Sequence, residues 1–293
     1  MNARWRSTLA VLLIAATTAC ATVGEATPQR VDDGPDPLRV GPQGNLAQFV
    51  VECDVSHYAY DDPIVHPFHA GLSHLHQFFG NTEVGSVPGY DDVVGAETSC
   101  EQAKDTASYW APVLLATDGK RIDSLGLTAY YRPGSGVDPA SVDPYPVGLM
   151  IVGGDALADE PQPTDVVAWS CGTGPTRDVE PPACPAGSSL RMLVKFPDCW
   201  DGEDLDGDGG VGHMEYSDGG CPESHPTPLP QLLIAIDYPP VDPNGLSLAS
   251  GSILTGHADF WNVWDQDKLA DEVSLCINRN LVCGVSASRS ARP

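Results

Sequence analysis

The sequence predicts a mainly β fold, a single β-sandwich or jelly-roll-like domain with disulfide bonds, long loops and one short C-terminal helix. Three observations predict it. Short apolar runs with strand character recur along the chain and are separated by turn-forming clusters. The chain contains 30 glycines and 27 prolines, and helical periodicity is scarce. Eight cysteines follow the N-terminal segment, which is typical of an exported protein with disulfides.

The first 20 residues have the layout of an export signal. Arg4 and Arg6 precede an apolar stretch, Leu9–Ala16, that is too short to span a bilayer. The following "TTAC" ends at Cys20 and is typical of a bacterial lipoprotein signal, with Cys20 as the lipidated first residue of the mature chain. Thr17 stands where such signals prefer leucine, so ordinary signal cleavage nearby is the alternative.

The rest of the chain divides into three parts. Residues 21–48 are rich in proline, glycine and aspartate and lack an apolar period, which predicts a disordered tether. Residues 49–284 contain no second linker and are long enough for one sizeable domain. Residues 285–293 are expected to be a disordered tail. We expect an exported protein, lipid-anchored at the cell surface or secreted, that touches the membrane only through its lipid.

The predicted strands and the predicted helix follow one another along the domain. A single amphipathic helix is expected over residues 265–277, "DQDKLADEVSLCI", because Leu269, Val273 and Cys276 share one face. The apolar runs that predict strands are, in chain order, "NLAQFVVEC", "SHLHQFF", "LGLTAYYRP", "VGLMIVGG", "SLRMLVKFP" and "QLLIAIDYP".

The even number of remaining cysteines predicts up to four disulfides. No pair has the spacing of a zinc finger, so structural zinc on thiolates is not expected. The spacing leaves the connectivity open, although Cys276 with Cys283 and Cys171 with Cys184 are close neighbours in sequence. The eight cysteines are Cys53, Cys100, Cys171, Cys184, Cys199, Cys221, Cys276 and Cys283.

The charge of the chain excludes several classes of partner. Forty acidic residues against fifteen basic ones give a net charge of −25. Such a surface repels nucleic acid and anionic headgroups, and it is compatible with divalent cations, neutral glycans or cationic partners. The chain also lacks the sequence signatures of serine hydrolases, P-loop proteins and dinucleotide-binding folds.

The run "GLSHLHQFFG", residues 71–80, places two histidines at alternate positions. If the run is a strand, His74 and His76 point to the same face and share one space. Neutral imidazole is the commonest metal ligand and is well suited to proton transfer near neutral pH. A buried pair bonded to backbone carbonyls is the alternative.

Two further segments repeat the same spacing. "GHMEY" carries His213 and Glu215, and "GHADFWNVWD" carries His257 and Asp259. Two histidines from one strand and a third from a neighbour can form a metal site with an open position, and a carboxylate two residues on can act as ligand or general base. The sequence therefore predicts one centre that unites the three pairs.

The segment "DLDGDGGVGHME", residues 204–215, fits the twelve-residue calcium loop. Alternate oxygens would surround a hard cation, and a glycine would permit the sharp turn. The flanking residues do not resemble helices, so an acidic turn without calcium is the alternative. Glu215 is also the partner expected for His213. The predicted calcium ligands are Asp204, Asp206, Asp208, Gly210 and Glu215.

Tryptophans accompany the polar motifs. Trp200 lies in "CWDG", Trp261 follows His257, and Trp110 ends "SYW". A flat indole face suits the C–H groups of a sugar ring, so these three residues are predicted to bind substrate. Core packing is the alternative for each of them.

An ordered set of motifs resembles a known family. The motifs are "DPIVHPFHAGLSHLHQFFG", "DTASYWAPVL", "AYYRPG", "YPVGLMIVGGD", "VKFPDCWDG", "HMEY", "CPESHPTPLPQL" and "GHADFWNVWD". They resemble, over about residues 49–284, the secreted domain-of-unknown-function family nineteen-ninety-six (DUF1996) of fungi and actinobacteria, which carries no established activity. Phe68 and His69 depart from the family, which usually has Pro-Gly there. The resemblance implies that the family pattern includes Asp62, His74, His76, Trp200, Asp201, His213, Tyr216, His257 and Asp259.

Three functions are compatible with these residues. The first is a glycoside hydrolase or polysaccharide lyase, in which Asp201 and Asp259 supply acid and base, or His74 or His257 works with Tyr216. The second is a metal-centred enzyme with zinc or copper on His74, His76 and either His213 or His257. The third is a glycan-binding surface protein without chemistry. The expected partner is an extracellular glycan, and the expected state is a monomer.

Overall fold

The computed structural model describes residues 47–85 and 89–284. The predicted signal peptide with Cys20, the predicted tether apart from its last two residues, and the predicted tail lie outside this part of the chain. Within it, no helix combines the length and the apolar character that crossing a bilayer requires.

Strands dominate the described residues, and each of the six apolar runs contains one. They are β1 (Gln48–Cys53), β2 (Val55–Ala59), β3 (His76–Gly80), β4 (Ser108–Pro112), β5 (Leu114–Leu115), β6 (Arg121–Ile122), β7 (Gly126–Arg132), β8 (Met150–Gly154), β9 (Val167–Cys171), β10 (Leu190–Lys195), β11 (Cys199–Trp200), β12 (Met214–Glu215), β13 (Thr227–Pro228), β14 (Gln231–Tyr238), β15 (Ser247–Leu248), β16 (His257–Trp261) and β17 (Val282–Cys283).

Most of these strands form two large sheets. The six-stranded sheet has the order β17-β1-β7-β14-β10-β9 and is antiparallel except for the pair β17 and β1. The five-stranded sheet has the order β2-β3-β4-β16-β8 and is antiparallel throughout. Two small sheets, β12-β11-β13 and β15-β5-β6, complete the arrangement.

One hydrophobic core joins the two large sheets. Phe49 and Tyr131 of the six-stranded sheet belong to the same buried cluster as Phe79, Tyr109 and Phe260 of the five-stranded sheet. Alternate residues of a strand face opposite sides, so each sheet turns one side toward this core. The predicted mainly β, sandwich-like fold is confirmed.

Helical structure is short. Helix α1 is Tyr90–Val93, and helix α2 is Gln266–Glu272. Helix α2 begins after Asp265, whose side chain accepts the N–H of Lys268, and it continues as a single π-helical turn over Val273–Ile277. The predicted C-terminal helix is therefore present. Two 3-10 turns lie at Pro139–Ser141 and Ile253–Thr255.

All eight cysteines of the domain are paired, as predicted. Cys171 bonds to Cys184 and Cys276 to Cys283, which are the neighbour pairings that the sequence suggests. The other disulfides are Cys53–Cys100 and Cys199–Cys221. A set of structural disulfides is consistent with an extracellular protein.

Candidate metal centre

The site lies on the outer face of the five-stranded sheet, away from the shared core. On β16, alternation places His257, Asp259 and Trp261 on one side and Phe260 in the core. The β4 residue Trp110 pairs with Asp259 on one flank and with Phe78 of β3 on the other. Three adjacent strands therefore present their outward side chains to one region.

Three imidazoles meet on this face. The ring centroids of His74 and His76 are 4.2 Å apart, and those of His74 and His257 are 5.1 Å apart. One ring nitrogen from each of the three histidines lies within 4.8 Å of the others. Strand β3 begins at His76, so His74 presents its ring from the loop before the strand rather than from the strand itself. The predicted sharing of one space by both rings nevertheless holds.

Backbone carbonyls fix how two of these rings are oriented. The Nδ1 atom of His76 lies 2.8 Å from the carbonyl oxygen of Asp61, and that of His257 lies 2.8 Å from the carbonyl oxygen of Thr255. A carbonyl only accepts hydrogen bonds, so each Nδ1 carries the hydrogen and each Nε2 keeps its lone pair. Histidines that bind metals have this arrangement, in which the second nitrogen donates to a carbonyl or carboxylate.

The environment keeps the three rings uncharged. Burial, reinforced by the neighbouring imidazoles, lowers the pKa of His74 to about 3. Burial, with His257 close by, also lowers the pKa of His76 to about 3, and burial lowers the pKa of His257. The Nε2 atoms of His74 and His76 are buried and have no hydrogen-bond partner among the described residues. Neutral imidazoles with free lone pairs are the form that binds metal.

Two carboxyl groups extend the cluster. Ligand atoms of Asp62, His76 and Asp259 lie within 4.8 Å of one another. One oxygen of Asp62 accepts the backbone N–H groups of Ile64 and Val65, at 3.1 and 3.0 Å. Asp259 is 1% exposed, and neither of its carboxyl oxygens has a partner in the described part of the chain. Burial, with the charge of Asp62 next, raises the pKa of Asp259 well above its usual value.

This donor set fits a transition metal. Two overlapping groups share His76: three imidazoles on one side, and two carboxyl groups with one imidazole on the other. They offer the nitrogen and oxygen ligands that zinc and copper accept, and the buried carboxyl oxygens of Asp259 have no other partner in the described structure. A hard cation such as calcium prefers a shell made entirely of oxygens. The cluster is therefore better suited to zinc or copper than to calcium.

His213 lies outside the five-stranded sheet, directly before β12. Its Nε2 atom is 2.8 Å from the carbonyl oxygen of Met150, and Met150 pairs with Trp261, whereas His257 pairs with Gly154 at the other end of β8. Four residue steps along the strand separate Met150 from Gly154, roughly 13 Å. A Cβ atom on Gly207 would come within 2.5 Å of the His213 Nδ1 atom, so the ring packs directly against the turn that precedes it. The structure brings three of the four predicted histidines together and leaves His213 apart.

The other predicted catalytic residues have local partners. One oxygen of Asp201 accepts the N–H groups of Glu203 and Asp204, at 2.8 and 3.1 Å. The hydroxyl of Tyr216 donates to the carbonyl oxygen of Lys195 at 3.0 Å, and burial raises the pKa of Tyr216 to about 12. These contacts orient both side chains, and a catalytic role for either remains a prediction.

The three predicted substrate tryptophans have different surroundings. Trp110 is fully buried and stacks on Phe78, with ring centroids 5.5 Å apart. Trp200 is half-buried, and its indole N–H donates to the carbonyl oxygen of Asp204. Trp261 lines a surface groove. Of the three, only Trp261 borders that groove.

The predicted calcium loop forms a turn that runs along strand β8. The carbonyl oxygens of Leu205 and Gly210 accept the N–H groups of Met150 and Val152, at 2.7 and 3.2 Å. Among the described residues, the groups whose ligand atoms lie within 4.8 Å of one another do not include the acids of this loop. Calcium binding remains a prediction for Asp204, Asp206, Asp208, Gly210 and Glu215.

The residue pattern alone does not identify three contributors to the centre. Asp62 was implied only by the resemblance, and nothing in the sequence indicates that it meets Asp259. The carbonyl groups of Asp61 and Thr255 carry no side-chain signal at all, because any residue supplies a carbonyl. Their roles depend on how the chain turns before β3 and before β16.

The fold and the cluster together define a disulfide-linked two-sheet domain with a buried histidine–aspartate centre. Residues 62–264, about two thirds of the chain, match the family described as domain of unknown function DUF1996. The chain belongs to this family, as the motifs predicted. Neither the curated proteins nor the solved structures yielded a match.

Proposed function

We propose that this domain is an exported metal-dependent enzyme with one zinc or copper ion as its active centre. His74, His76 and His257 would hold the ion, and Asp259 would supply the anionic ligand. One observation supports this most strongly: neutral imidazoles, two of them oriented by backbone carbonyls, converge beside a buried carboxyl group that has no partner in the described structure.

A catalytic role is favoured over a purely structural one. Structural zinc sites are closed and often use cysteines, whereas catalytic sites keep one position open to water or substrate. Every cysteine of the domain is in a disulfide, and His74 is only half-buried, so it is the imidazole of the cluster nearest to solvent. A bound ion would act as a Lewis acid on a substrate oxygen or would lower the pKa of a water molecule.

The substrate that we propose is an extracellular or cell-envelope polysaccharide, cleaved by hydrolysis or by elimination. The acidic surface disfavours nucleic acid and other polyanions, and an aromatic groove lies on the same face of the sheet as the centre. Asp62 would move a proton in this reaction; its closeness to His76 and Asp259, and the two backbone N–H groups that hold one of its oxygens, support this role.

Metal analysis of the purified protein tests the centre directly. We expect about one equivalent of zinc or copper in the wild type and none in His76→Ala, with unchanged disulfides and circular dichroism in the variant. His225→Ala is the matched control, because the ring of His225 contacts Ser224 and the carbonyl oxygen of Gly212 and is not part of the cluster. Equal metal content in the wild type and His76→Ala would contradict the proposal.

We also propose that lipidation of Cys20 anchors the mature chain. The "TTAC" junction supports it, and so does the fact that the remaining eight cysteines are all paired with one another in disulfides. Cys20→Ser should move the protein from the membrane fraction to the soluble exported fraction, and a wild type that is already soluble would contradict the anchor.

A further inference from the structure

A groove of about 570 Å³ lies on the outer face of the five-stranded sheet. It shares strand β16 with the metal centre, since Trp261 lines the groove and His257 begins the same strand. The segment that follows Asp62 reaches the groove too, where Pro63 and Phe68 line it. A chain-like ligand on this face could therefore contact both places.

Three aromatic side chains, Phe68, Tyr90 and Trp261, line the groove. Phe68 is 71% exposed and has a positive φ of 65°, a strained conformation that presents the ring to solvent. Tyr90, the first residue of α1, also lines the groove. Trp261 is 2% exposed, and its indole N–H has no hydrogen-bond partner in the described structure. Exposed rings around a concavity are a platform for flat or cationic ligands.

The charges that line the groove have one sign. Glu203, Asp204 and Asp206 border it and are exposed, and its described lining contains neither lysine nor arginine. The whole chain carries a net charge of −25, so the local field adds to a general attraction for cations. An anionic ligand is disfavoured here, and a neutral sugar would gain no attraction from the carboxylate charges.

We propose that the groove binds a positively charged amino sugar, as a unit of a polysaccharide whose amines are free. The C–H face of the ring would stack on Tyr90 or Phe68, and the ammonium would lie near the carboxylates and over an aromatic face. This inference rests on the proposed function, because it names the substrate class of the same face. A lysine side chain could pair with the carboxylates, but it has no ring whose C–H face could stack on the aromatic side chains of the groove.

The test compares two ligands that differ in the amine alone. Binding of a short glucosamine oligomer and of the matching N-acetylglucosamine oligomer to the full chain is measured by calorimetry near pH 6. We expect the glucosamine oligomer to bind at least about tenfold more tightly. The double variant Glu203→Gln, Asp206→Asn should reduce this preference about fivefold, and Tyr90→Ala should weaken binding of both oligomers about fivefold. Glu160→Gln, an exposed glutamate outside the groove, is the control and should change neither.

The outcomes separate this inference from the metal centre. Equal affinity for both oligomers, or a preference that survives the double variant, would overturn the amino-sugar assignment even when the protein contains its metal. Tighter binding of an oligolysine peptide than of the glucosamine oligomer would overturn it as well. Preserved glucosamine binding in His76→Ala would support the groove as a separate site, even if the metal proposal failed.

Discussion

The two faces of the five-stranded sheet each enclose a fully buried aspartate, and the two aspartates differ in their partners. Toward the core, Asp105 accepts the hydroxyl of Tyr109 at 2.7 Å and the N–H of Ala107 at 3.2 Å. Tyr109 in turn contacts the hydroxyl of Tyr131, which accepts the indole N–H of Trp264. On the outer face, Asp259 has no partner among the described residues.

This difference concerns how the burial of each carboxyl group is compensated. Burial raises the pKa of both carboxyl groups, that of Asp105 to about 8. The network around Asp105 compensates for burial with hydrogen bonds, as buried polar groups in folded proteins normally do. Asp259 lacks such compensation, so its burial destabilises the domain. A bound metal ion would supply the missing interaction. The contrast therefore points to the outer face as the site of function.

The largest expected effect is that of Asp259→Asn. The variant should bind zinc or copper at least about 100-fold more weakly, because an anionic ligand is lost. Without metal its free energy of unfolding should stay within about 1 kcal/mol of the wild type, because a neutral amide of the same shape replaces a carboxyl group whose raised pKa favours its neutral form, and neither group has a partner in the described structure. Metal titration and urea unfolding of the chelator-treated protein measure the two quantities.

Asp105→Ala is the matched control on the other face. It should leave metal affinity unchanged and lower the free energy of unfolding by about 2 kcal/mol, because Tyr109 and Ala107 lose their acceptor. If both variants shifted metal affinity and stability in the same direction, the contrast between the two faces would be wrong.

The pH dependence of metal affinity sharpens the same contrast. Because burial raises the pKa of Asp259, its carboxyl group keeps its proton to higher pH than an ordinary aspartate in the metal-free domain, and the metal must displace that proton. Affinity should therefore rise with pH, by up to about tenfold per pH unit, below the raised pKa of Asp259. His74 and His76, with pKa values of about 3, are already unprotonated and add no slope there. Competition titrations at several pH values should show this slope in the wild type and not in Asp259→Asn.

A smaller effect is expected for Tyr109→Phe. Removal of the hydroxyl leaves Asp105 and Tyr131 each without one hydrogen bond, which should lower the free energy of unfolding by about 1–2 kcal/mol. Metal affinity should stay within twofold of the wild type. A large loss of metal from this variant would show that the two faces are energetically coupled.

The smallest effect concerns calcium at the edge of the outer face. If residues 204–215 bind calcium with a dissociation constant on the order of 10⁻³ M, millimolar calcium should stabilise the domain by less than about 1 kcal/mol. This corresponds to an increase in melting temperature of about 1–3 °C. Melting curves in calcium and in chelator measure it, with Asp206→Asn as the insensitive control. Identical curves for the wild type would contradict calcium binding.

Local pattern accounts for much of the fold. Each of the six apolar runs contains a strand, because alternation and turn residues are encoded within a few neighbouring positions. The same reasoning predicted that His257 and Asp259 share a face, as they do on β16. It missed β4 and β16 as strands, although both contain tryptophan or phenylalanine, since their sequences were interpreted only as motifs.

The composition of the site depends on contacts that local pattern does not contain. His76 and His257 meet because β3 and β16 are both neighbours of β4 in the sheet, an order set by pairings distant in sequence. His213 has the same spacing to an acid as His257, yet the strand that follows it, β12, belongs to a different sheet, and its ring bonds to the carbonyl group of Met150. Equal spacing therefore predicted equal roles, and the strand order separated them.

The turn that runs along β8 has a consequence for how molecules of this protein behave toward each other. An exposed strand edge offers unpaired N–H and C=O groups on which a second chain can add a strand, the first step of fibril growth. Here the carbonyl oxygens of Leu205 and Gly210 cover the β8 edge. A Cβ atom at Gly210 would come within 2.5 Å of Val152 and 2.7 Å of Ile64, so no larger residue can lie this close to the strand. Glycine at this position therefore lets the turn cover the edge, and we expect a bulkier residue to leave the edge of β8 open to pairing with a second chain.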